Sequence, residues 1–538
     1  MGFSSRNFVK MSIDNKNSTD IPKKNTHYNR GHLVKYIHHI ILKYFLRKDK
    51  TMSTKKQVRP FGMRDKMGYL FGDFGNDFTF ILSTMLLTKF YTDVMGVSAA
   101  IVGTIMMLAR FVDAVTDVTM GRICDRGKVT ANGKFKPWIL RMCIPVAAAS
   151  FLMYQSGFAG LPMGGKVAYL AITYLLWGSI FYTSINIPYG SMASAISADP
   201  GDRQSLSTFR TMGGMLAGMV IGIGLPLLAY EKVETVVNGE TIIKETLIGS
   251  KVTVAAGVFS VLAIICYLLC YKLVTERVVV SEGADKKGPS VGQMLKSAFT
   301  NRALISIIAA SVVMLLAQLT MQNMAAYIYP DYYGSAAAQS ASTAMMMVGM
   351  IVAAIFAKPL AKKFGKAEVS VVSNVFAAGV MVLLWIVRPD NVWVYCGMQM
   401  LCWLGLGIFS MVSWALITDV IDYSELKNGI REDGSVYAMY SFARKLGQAL
   451  AAGLSGWLLT AIGYSSKAAA DGLPQTQEVL EGIFDISTAL PAIGFLLLAV
   501  VLWFWYPLHK KQVDANVEAL KVKHAAEGGE PTVAEVTE

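Results

Sequence analysis

The sequence has 538 residues, of which 54% are hydrophobic and only 16% are charged. A soluble domain carries about 25% charged residues, so the composition excludes an ordinary soluble protein and indicates a polytopic membrane protein. The net charge of +13 is concentrated in the N-terminal extension and the loops, which favours positive-inside topology over nucleic-acid binding. The six cysteines form no CxxC pair, so neither a disulfide framework nor a zinc site is indicated.

Residues 1–60 are rich in Lys, Arg, Asn and His, and a second start-like sequence begins at Met52. We interpret this stretch as a dispensable, disordered cytoplasmic extension. The alternative is attachment to the membrane surface through residues 33–46, which resemble a short basic amphipathic helix and are too short and too charged to span a bilayer.

Apolar windows of about 20 residues predict twelve membrane-spanning helices. They fall near residues 68–93, 99–121, 137–158, 167–196, 206–230, 251–274, 302–329, 337–358, 369–388, 392–418, 435–462 and 484–506.

The polar segment 275–301 lies between the sixth and seventh windows and predicts a cytoplasmic connection between two six-helix units, 61–274 and 302–508. The tail, 509–538, ends in Ala, Glu and Gly and is expected to be disordered and cytoplasmic.

Basic residues fill the loops after the second and eighth helices, whereas the alternate loops are neutral or mixed. The basic residues of these two loops are Arg122, Arg126, Lys128, Lys134, Lys136, Lys358, Lys362, Lys363 and Lys366. Because basic loops stay in the cytoplasm, we expect a multi-pass protein of the inner (plasma) membrane with both termini in the cytoplasm.

Asp113 and Asp117 lie inside the second apolar window. An ionised Asp at the centre of a spanning helix costs about 2.5–3.5 kcal/mol. Residues four apart share a helix face, so these carboxylates repel each other unless a proton, a metal cation or a basic side chain lies between them. Arg110, one turn earlier, is the structural alternative to a small cation.

Other predicted spans and their ends also carry polar groups, which membrane interiors rarely tolerate unless the groups face a cavity or one another. They are Asp73, Asn76, Asp77, Tyr182, Thr183, Asn186, Arg210, Asp419, Asp422, Glu425, Arg444 and Lys445. Two roles for Asp73 stay open: it either contributes to a polar site inside the membrane or only caps or solvates the start of its helix.

Several motifs occur together: GYLFGDFGND (68–77), ARFVDAVTD (109–117), GKFKPW (133–138), NIPYGS (186–191) and TDVIDY (418–423). Residues 121–128, GRICDRGK, resemble the GxxxDRxGK loop of major facilitator transporters with one residue fewer after Arg126. From about Phe61 to Lys511, these motifs together resemble the glycoside–pentoside–hexuronide:cation symporter family, of the melibiose permease type. The resemblance implies an all-α, twelve-helix major facilitator fold with two six-helix bundles around a central cavity.

The resemblance also implies a cation site. Asp113 and Asp117 match the family's carboxylates for Na⁺, Li⁺ or H⁺, and Thr183 matches a nearby hydroxyl. Asn186 stands where the melibiose permease has an aspartate. An amide oxygen can ligate a cation but cannot take up a proton, so the choice between Na⁺ and H⁺ stays open.

Asp77 and Arg210 match the family's sugar-binding carboxylate and guanidinium, which hold neighbouring hydroxyls by charge-assisted bonds. Lys445 matches a lysine that faces the acids and could replace the cation's charge, and it completes the predicted substrate set with Tyr182. Gly190 departs from the family's stacking tryptophan, and Tyr182 and Tyr189 are candidate substitutes.

A gating role is predicted for charged residues near the cytoplasmic helix ends and beside the acid pair. This set comprises Arg110, Asp125, Arg126, Asp419, Asp422 and Arg444, with Arg444 expected to pair with the acids of helix 10.

The prediction is therefore a cation-coupled sugar symporter, monomeric in the bilayer, with a small sugar or glycoside and a monovalent cation as partners and no cofactor beyond the coupling ion. A sodium-dependent lysolipid carrier of the same fold is the alternative. A membrane enzyme or sensor is disfavoured, because the sequence has no nucleophile–base constellation and no GxxxxGK phosphate loop.

Overall fold

The structure is a computed structural model that describes residues 59–127, 129–237, 240–278, 301–428 and 433–526. Twelve long helices follow one another in these residues, at the places of the twelve apolar windows. They are α1 Met63–Asp93, α2 Ala99–Asp125, α3 Lys136–Leu152, α4 Met163–Ile196, α5 Pro200–Ala229, α6 Gly249–Leu273, α7 Arg302–Tyr332, α8 Ala336–Phe364, α9 Lys366–Val387, α10 Val392–Asn428, α11 Asp433–Ala461 and α12 Gln477–Trp505. The predictions for residues 1–58 and 279–300 lie outside the described residues.

Nine of the described helices are long and apolar enough to cross a membrane by length and composition alone. The other three are α1, α3 and α11. Helix α3 has 17 residues, and α1 and α11 carry several of the polar groups noted above, such as Asp77 and Lys445. Five of the twelve polar groups noted above lie on α1 and α11.

The buried apolar side chains form two clusters. One lies almost entirely between Tyr69 and Val274, where α1 packs on α5 and α6, and α3 packs on α6. The other lies almost entirely between Ala303 and Leu508, where α7 packs on α11 and α12, and α10 packs on α8 and α9. Each predicted half thus has its own core, and the domain bounds themselves stay a prediction.

Contacts between the halves involve α2 with α11, α5 with α8, and α1 with α7. Glycines allow α2 and α11 to approach closely: a Cβ at Gly456 would lie 2.2 Å from the carbonyl oxygen of Ala99, and one at Gly103 would lie 2.8 Å from that of Ala452. Small residues at helix crossings in membranes permit such backbone contact. This crossing brings the acids of α2 beside α11.

A β-hairpin between α5 and α6 was not predicted. Strands β1 (Tyr230–Val237) and β2 (Glu240–Leu247) pair antiparallel, with Tyr230 opposite Leu247. The sequence carries the signal, because Asn238-Gly239 between β-branched residues is typical of a hairpin.

Residues 510–526 differ from the prediction of a disordered tail, and the prediction for residues 527–538 lies outside the described residues. Helix α13 (Lys510–Ala526) packs on α10, with Asn516 and Leu520 buried. The Lys510 backbone N–H donates to Glu368 Oε1 of α9 at 2.8 Å. An apolar stripe that includes Leu520 explains why this polar helix binds the bundle instead of remaining solvated.

Candidate functional site

The acid pair of α2 faces two hydroxyls of α4. Ser179 Oγ donates to Asp113 Oδ1 at 2.5 Å, and Thr183 Oγ1 donates to Asp117 Oδ1 at 2.9 Å. Both pairs of residues are spaced four apart, so the helices form two successive carboxylate–hydroxyl rungs. We call these four residues the ladder.

The second oxygen of each ladder carboxylate accepts from a basic side chain. Arg110 Nη1 lies 3.2 Å from Asp113 Oδ2 on the same helix. Lys445 of α11 donates to Asp117 Oδ2. The Lys445 side chain is 47% exposed, whereas those of the two aspartates are 14% and 18% exposed. A basic residue therefore pairs with each acid, and one of these pairs crosses between the halves.

An irregular turn of α4 positions the hydroxyls. Residues Leu176–Tyr182 are π-helical. This conformation is rare in proteins as a whole, and where it occurs it is often at a functional site. Within this stretch, Gly178 lies directly beside the acid, because a Cβ there would make an ordinary van der Waals contact with Asp113 Oδ1 at 3.6 Å. Thr183 Oγ1 also lies 3.2 Å from the Gly178 carbonyl oxygen, five residues earlier. The wide turn thus presents both hydroxyls to α2.

A second charged group links α1 to α5. Arg210 Nε donates to Asp73 Oδ1 at 2.9 Å, and the guanidinium lies 5.3 Å from the centre of the Tyr189 ring. The sequence motifs predict that Asp77 acts with Arg210 and leave the role of Asp73 open. The structure instead pairs Arg210 with Asp73.

Asp77 is the carboxylate of this region that keeps its acceptors free. It is partly exposed, and among the described residues it makes no side-chain hydrogen bond or ion pair. Gly214 of α5 provides its space, since a Cβ there would lie 2.5 Å from Asp77 Oδ2. Because Asp73 and Asp77 are four residues apart, both face α5.

Asn186 is not hydrogen-bonded to the ladder. Its Oδ1 is 3.4 Å from Asn76 Nδ2, and Tyr267 of α6 donates to Asn76 Oδ1 at 2.9 Å. These three side chains join α4, α1 and α6. The predicted grouping of Asn186 with the acid pair therefore finds no hydrogen bond in the described part of the chain.

Comparison with known proteins identifies the family. A family model described as MFS/sugar transport protein matches residues 68–510. The chain belongs to this family. It is 30% identical to the uncharacterized symporter YjmB of Bacillus subtilis, with 88% of this chain and 98% of that protein covered. It is 28% identical to the isoprimeverose transporter of Lactiplantibacillus pentosus, with 86% and 92% covered.

The fold is also shared with solved transporters. A bacterial homologue of the human lysosomal transporter Spinster superposes with a TM-score of 0.58 at 10% identity, covering 85% of this chain and 99% of that one. This likeness shows the fold alone. The predicted all-α major facilitator fold and the resemblance to glycoside–pentoside–hexuronide symporters are confirmed, and the chain is a multi-pass membrane transporter of the sugar type.

In this sugar-family transporter, the residues predicted to gate have varied surroundings. Asp419 of α10 accepts from Lys366 Nζ at 2.6 Å, within the second half. Asp419 and Asp422 both border a small cleft beside α13. Asp125 and Arg126 are exposed at the end of α2. Their roles in gating stay predictions.

Arg444 and Tyr182 have aromatic neighbours. The Arg444 guanidinium lies 5.7 Å from the ring of Trp414 and 5.9 Å from that of Tyr440. The expected pairing of Arg444 with the acids of α10 stays a prediction. Tyr182 stacks on Phe80 at 5.8 Å.

Sequence reasoning missed Ser179 and gave Asp73 and Asn76 no defined partners. Asp73 and Asn76 carried a signal, because both lie in the polar motif at residues 72–77 of an otherwise apolar window. Ser179 carried none, since single serines are common in membrane helices and its significance depends on which helix it faces.

Proposed function

We propose that this protein is a secondary active symporter that couples inward movement of Na⁺ or H⁺ to the uptake of a glycoside, pentoside or hexuronide by alternating access. The observation that carries the proposal is the ladder, in which Asp117 of one half is paired with Lys445 of the other. Two carboxylates and two hydroxyls offer the oxygen atoms that hard cations prefer.

The Lys445 contact offers a route from ion binding to movement. In this proposal, a Na⁺ or H⁺ that arrives at Asp117 replaces the positive charge of the Lys445 ammonium. Because the two residues belong to different halves, this exchange removes one interhalf contact and biases the equilibrium between conformations. The charge of Asp117 stays compensated throughout, which avoids a bare buried carboxylate.

The sugar site in this proposal comprises Asp77, Arg210 and the neighbouring Tyr182. Asp77 has free acceptors for hydroxyl donors, and the Arg210 side chain is 40% exposed. Charge-assisted hydrogen bonds of this kind suit a polyhydroxylated ligand. The name of one relative, an isoprimeverose transporter, supports a sugar over a lysolipid, and that of the other, a symporter, supports coupling to an ion.

The hydrogen bond between Asn76 and Asn186 connects α1 to α4. Asn76 is adjacent to Asp77 of the sugar site, and Asn186 is three residues after Thr183 of the ladder. If ion and sugar each favour the other through this connection, the two affinities change by the same factor. We also propose that the protein works as a monomer in the inner membrane, with both termini in the cytoplasm.

The test is radiolabelled uptake of a glycoside panel into membrane vesicles, with Na⁺ and pH gradients imposed separately. We expect accumulation of one class of sugar driven by one of the two gradients, and loss of that accumulation in D113N and D117N. Equilibration without accumulation under both gradients would overturn symport. Competition by lysolipids, with none by simple glycosides, would overturn the sugar assignment.

A further inference from the structure

Ser179 has a buried hydroxyl that donates its hydrogen bond to a neighbouring helix. Its side chain lies in the π-helical stretch of α4 and is 3% exposed. Serines inside helices commonly donate back to a carbonyl of the preceding turn. Ser179 instead donates across to Asp113 Oδ1 of α2 at 2.5 Å. It thus occupies the same position toward Asp113 as Thr183 occupies toward Asp117.

Both hydroxyls can serve a cation without losing their hydrogen bonds. A hydroxyl has one proton and two lone pairs, so Ser179 can donate to Asp113 while a lone pair faces a bound ion. Thr183 has a second acceptor for its proton, the Gly178 carbonyl oxygen at 3.2 Å. The amide oxygen of Asn186, in contrast, points to Asn76 Nδ2 of α1 at 3.4 Å.

We infer that Ser179, rather than Asn186, supplies the fourth side chain of a Na⁺ site with Asp113, Asp117 and Thr183. This inference rests on the proposed function and names its coupling ion. The ladder presents one carboxylate and one hydroxyl at each rung, which gives Na⁺ four oxygen ligands from two adjacent helices. Ser179 therefore helps to determine cation selectivity.

The test is calorimetric titration of the purified full-length chain with Na⁺. In S179A the dissociation constant for Na⁺ should rise about tenfold, as expected for the loss of one hydroxyl that acts on a charged group. In N186A it should change by less than twofold. S184A is the matched control, because it deletes the same atom from the same helix and Ser184 has no side-chain hydrogen bond in the described part of the chain.

Saturating Na⁺ should restore the maximal uptake rate of S179A to within about twofold of the wild type, since only ion affinity is altered. Three results would overturn the inference: unchanged Na⁺ affinity in S179A, an equal or larger loss in N186A, or a loss of uptake in S179A that Na⁺ does not restore.

The wild-type controls separate this inference from the proposed function. A wild-type chain that binds no Na⁺ but accumulates sugar under a proton gradient overturns the Na⁺ site and leaves symport standing. A wild-type chain that accumulates no sugar under either gradient overturns the proposed function itself.

Discussion

Lys89 of α1 forms a buried ion pair with Asp331 of α7, and this pair joins the two halves of the transporter. Lys89 Nζ also lies 2.8 Å from Asp93 Oδ2, and Tyr464, three residues after α11, donates to Asp93 Oδ1 at 2.7 Å. Lys244 of the hairpin lies 3.8 Å from Asp331. All five side chains gather at the ends of α1 and α7 that the loop charges predict to lie outside the cell.

Each buried charge in this cluster is compensated by a neighbouring charge of opposite sign. Removing one partner of a buried ion pair destabilises by about 3–5 kcal/mol because the other charge is left unpaired, whereas an intact pair adds little to stability. When the halves separate at this end, water can solvate the same groups. The cluster therefore favours a closed end without preventing its opening.

Substitution K89M should open this end of the transporter. The change leaves Asp93 and Asp331 near each other without the ammonium that lies between them, which penalises the closed arrangement by about 3–5 kcal/mol. Phe158 and Trp393 are exposed on opposite halves and can carry spin labels. Pulsed electron paramagnetic resonance should show a larger fraction of K89M molecules with a long distance between the two labels.

The matched control for K89M is K251M. Lys251 pairs with Glu231 at 2.5 Å, but both side chains are well exposed, and such a pair contributes about 0–1 kcal/mol. The distance distribution of K251M should equal that of the wild type. A K89M distribution that also equals the wild type would contradict the interpretation of the cluster as a closure contact.

Substitution K445A should separate exchange from net uptake. A bound coupling ion compensates Asp117 during exchange, so exchange of external for internal sugar should stay within about threefold of wild type. Net uptake should fall at least about tenfold, because the unloaded carrier must return with an unpaired carboxylate. Measurement of both rates in vesicles tests this, with K445R as the charge-conserving control. An equal loss of both rates would contradict the proposal that the Lys445 ammonium replaces the coupling ion beside Asp117.

Substitution D73N should alter selectivity between neutral and anionic sugars. In the wild type, Asp73 neutralises Arg210 through the 2.9 Å contact. Without that carboxylate, the guanidinium is left to pair with a sugar carboxylate. The ratio of kcat/KM for a hexuronide to that for a neutral glycoside should rise about tenfold, equivalent to about 1.4 kcal/mol. An unchanged ratio would show that Asp73 does not mask Arg210.

Substitution G214A should weaken sugar binding and leave ion binding intact. The added Cβ would lie 2.5 Å from Asp77 Oδ2, so the carboxylate must move from its position. Loss of one charge-assisted hydrogen bond predicts about a tenfold higher dissociation constant for sugar. Direct binding measurements for sugar and for the coupling ion test this expectation.

Substitution G224A is the matched control for G214A. It lies on the same helix, and no atom lies within 4 Å of its added Cβ. Both changes favour helix formation equally. Sugar affinity should therefore fall in G214A alone, and equal affinity in the two variants would contradict the placement of Asp77 in the sugar site.

The sequence alone determined the number and order of the twelve long helices in the described residues and the shared face of Asp113 and Asp117. Both depend on short-range properties: the length of an apolar run needed to cross a bilayer and the 3.6-residue repeat of a helix. The family motifs likewise lie in contiguous residues. The hairpin was also readable at Asn238-Gly239, although the prediction overlooked it.

The tertiary structure decided which residue meets which. Helix periodicity fixes the face on which Arg210, Asn186 or Ser179 lies, but not the neighbouring helix that this face contacts. The pairing of Arg210 with Asp73, of Asn186 with Asn76 and of Ser179 with Asp113 depends on helix crossings that involve side chains from 66 to 137 residues apart in sequence. The contact between Lys89 and Asp331 spans 242 residues. Such partners are selected by packing and by the need to compensate buried charge, and neither is encoded in local spacing.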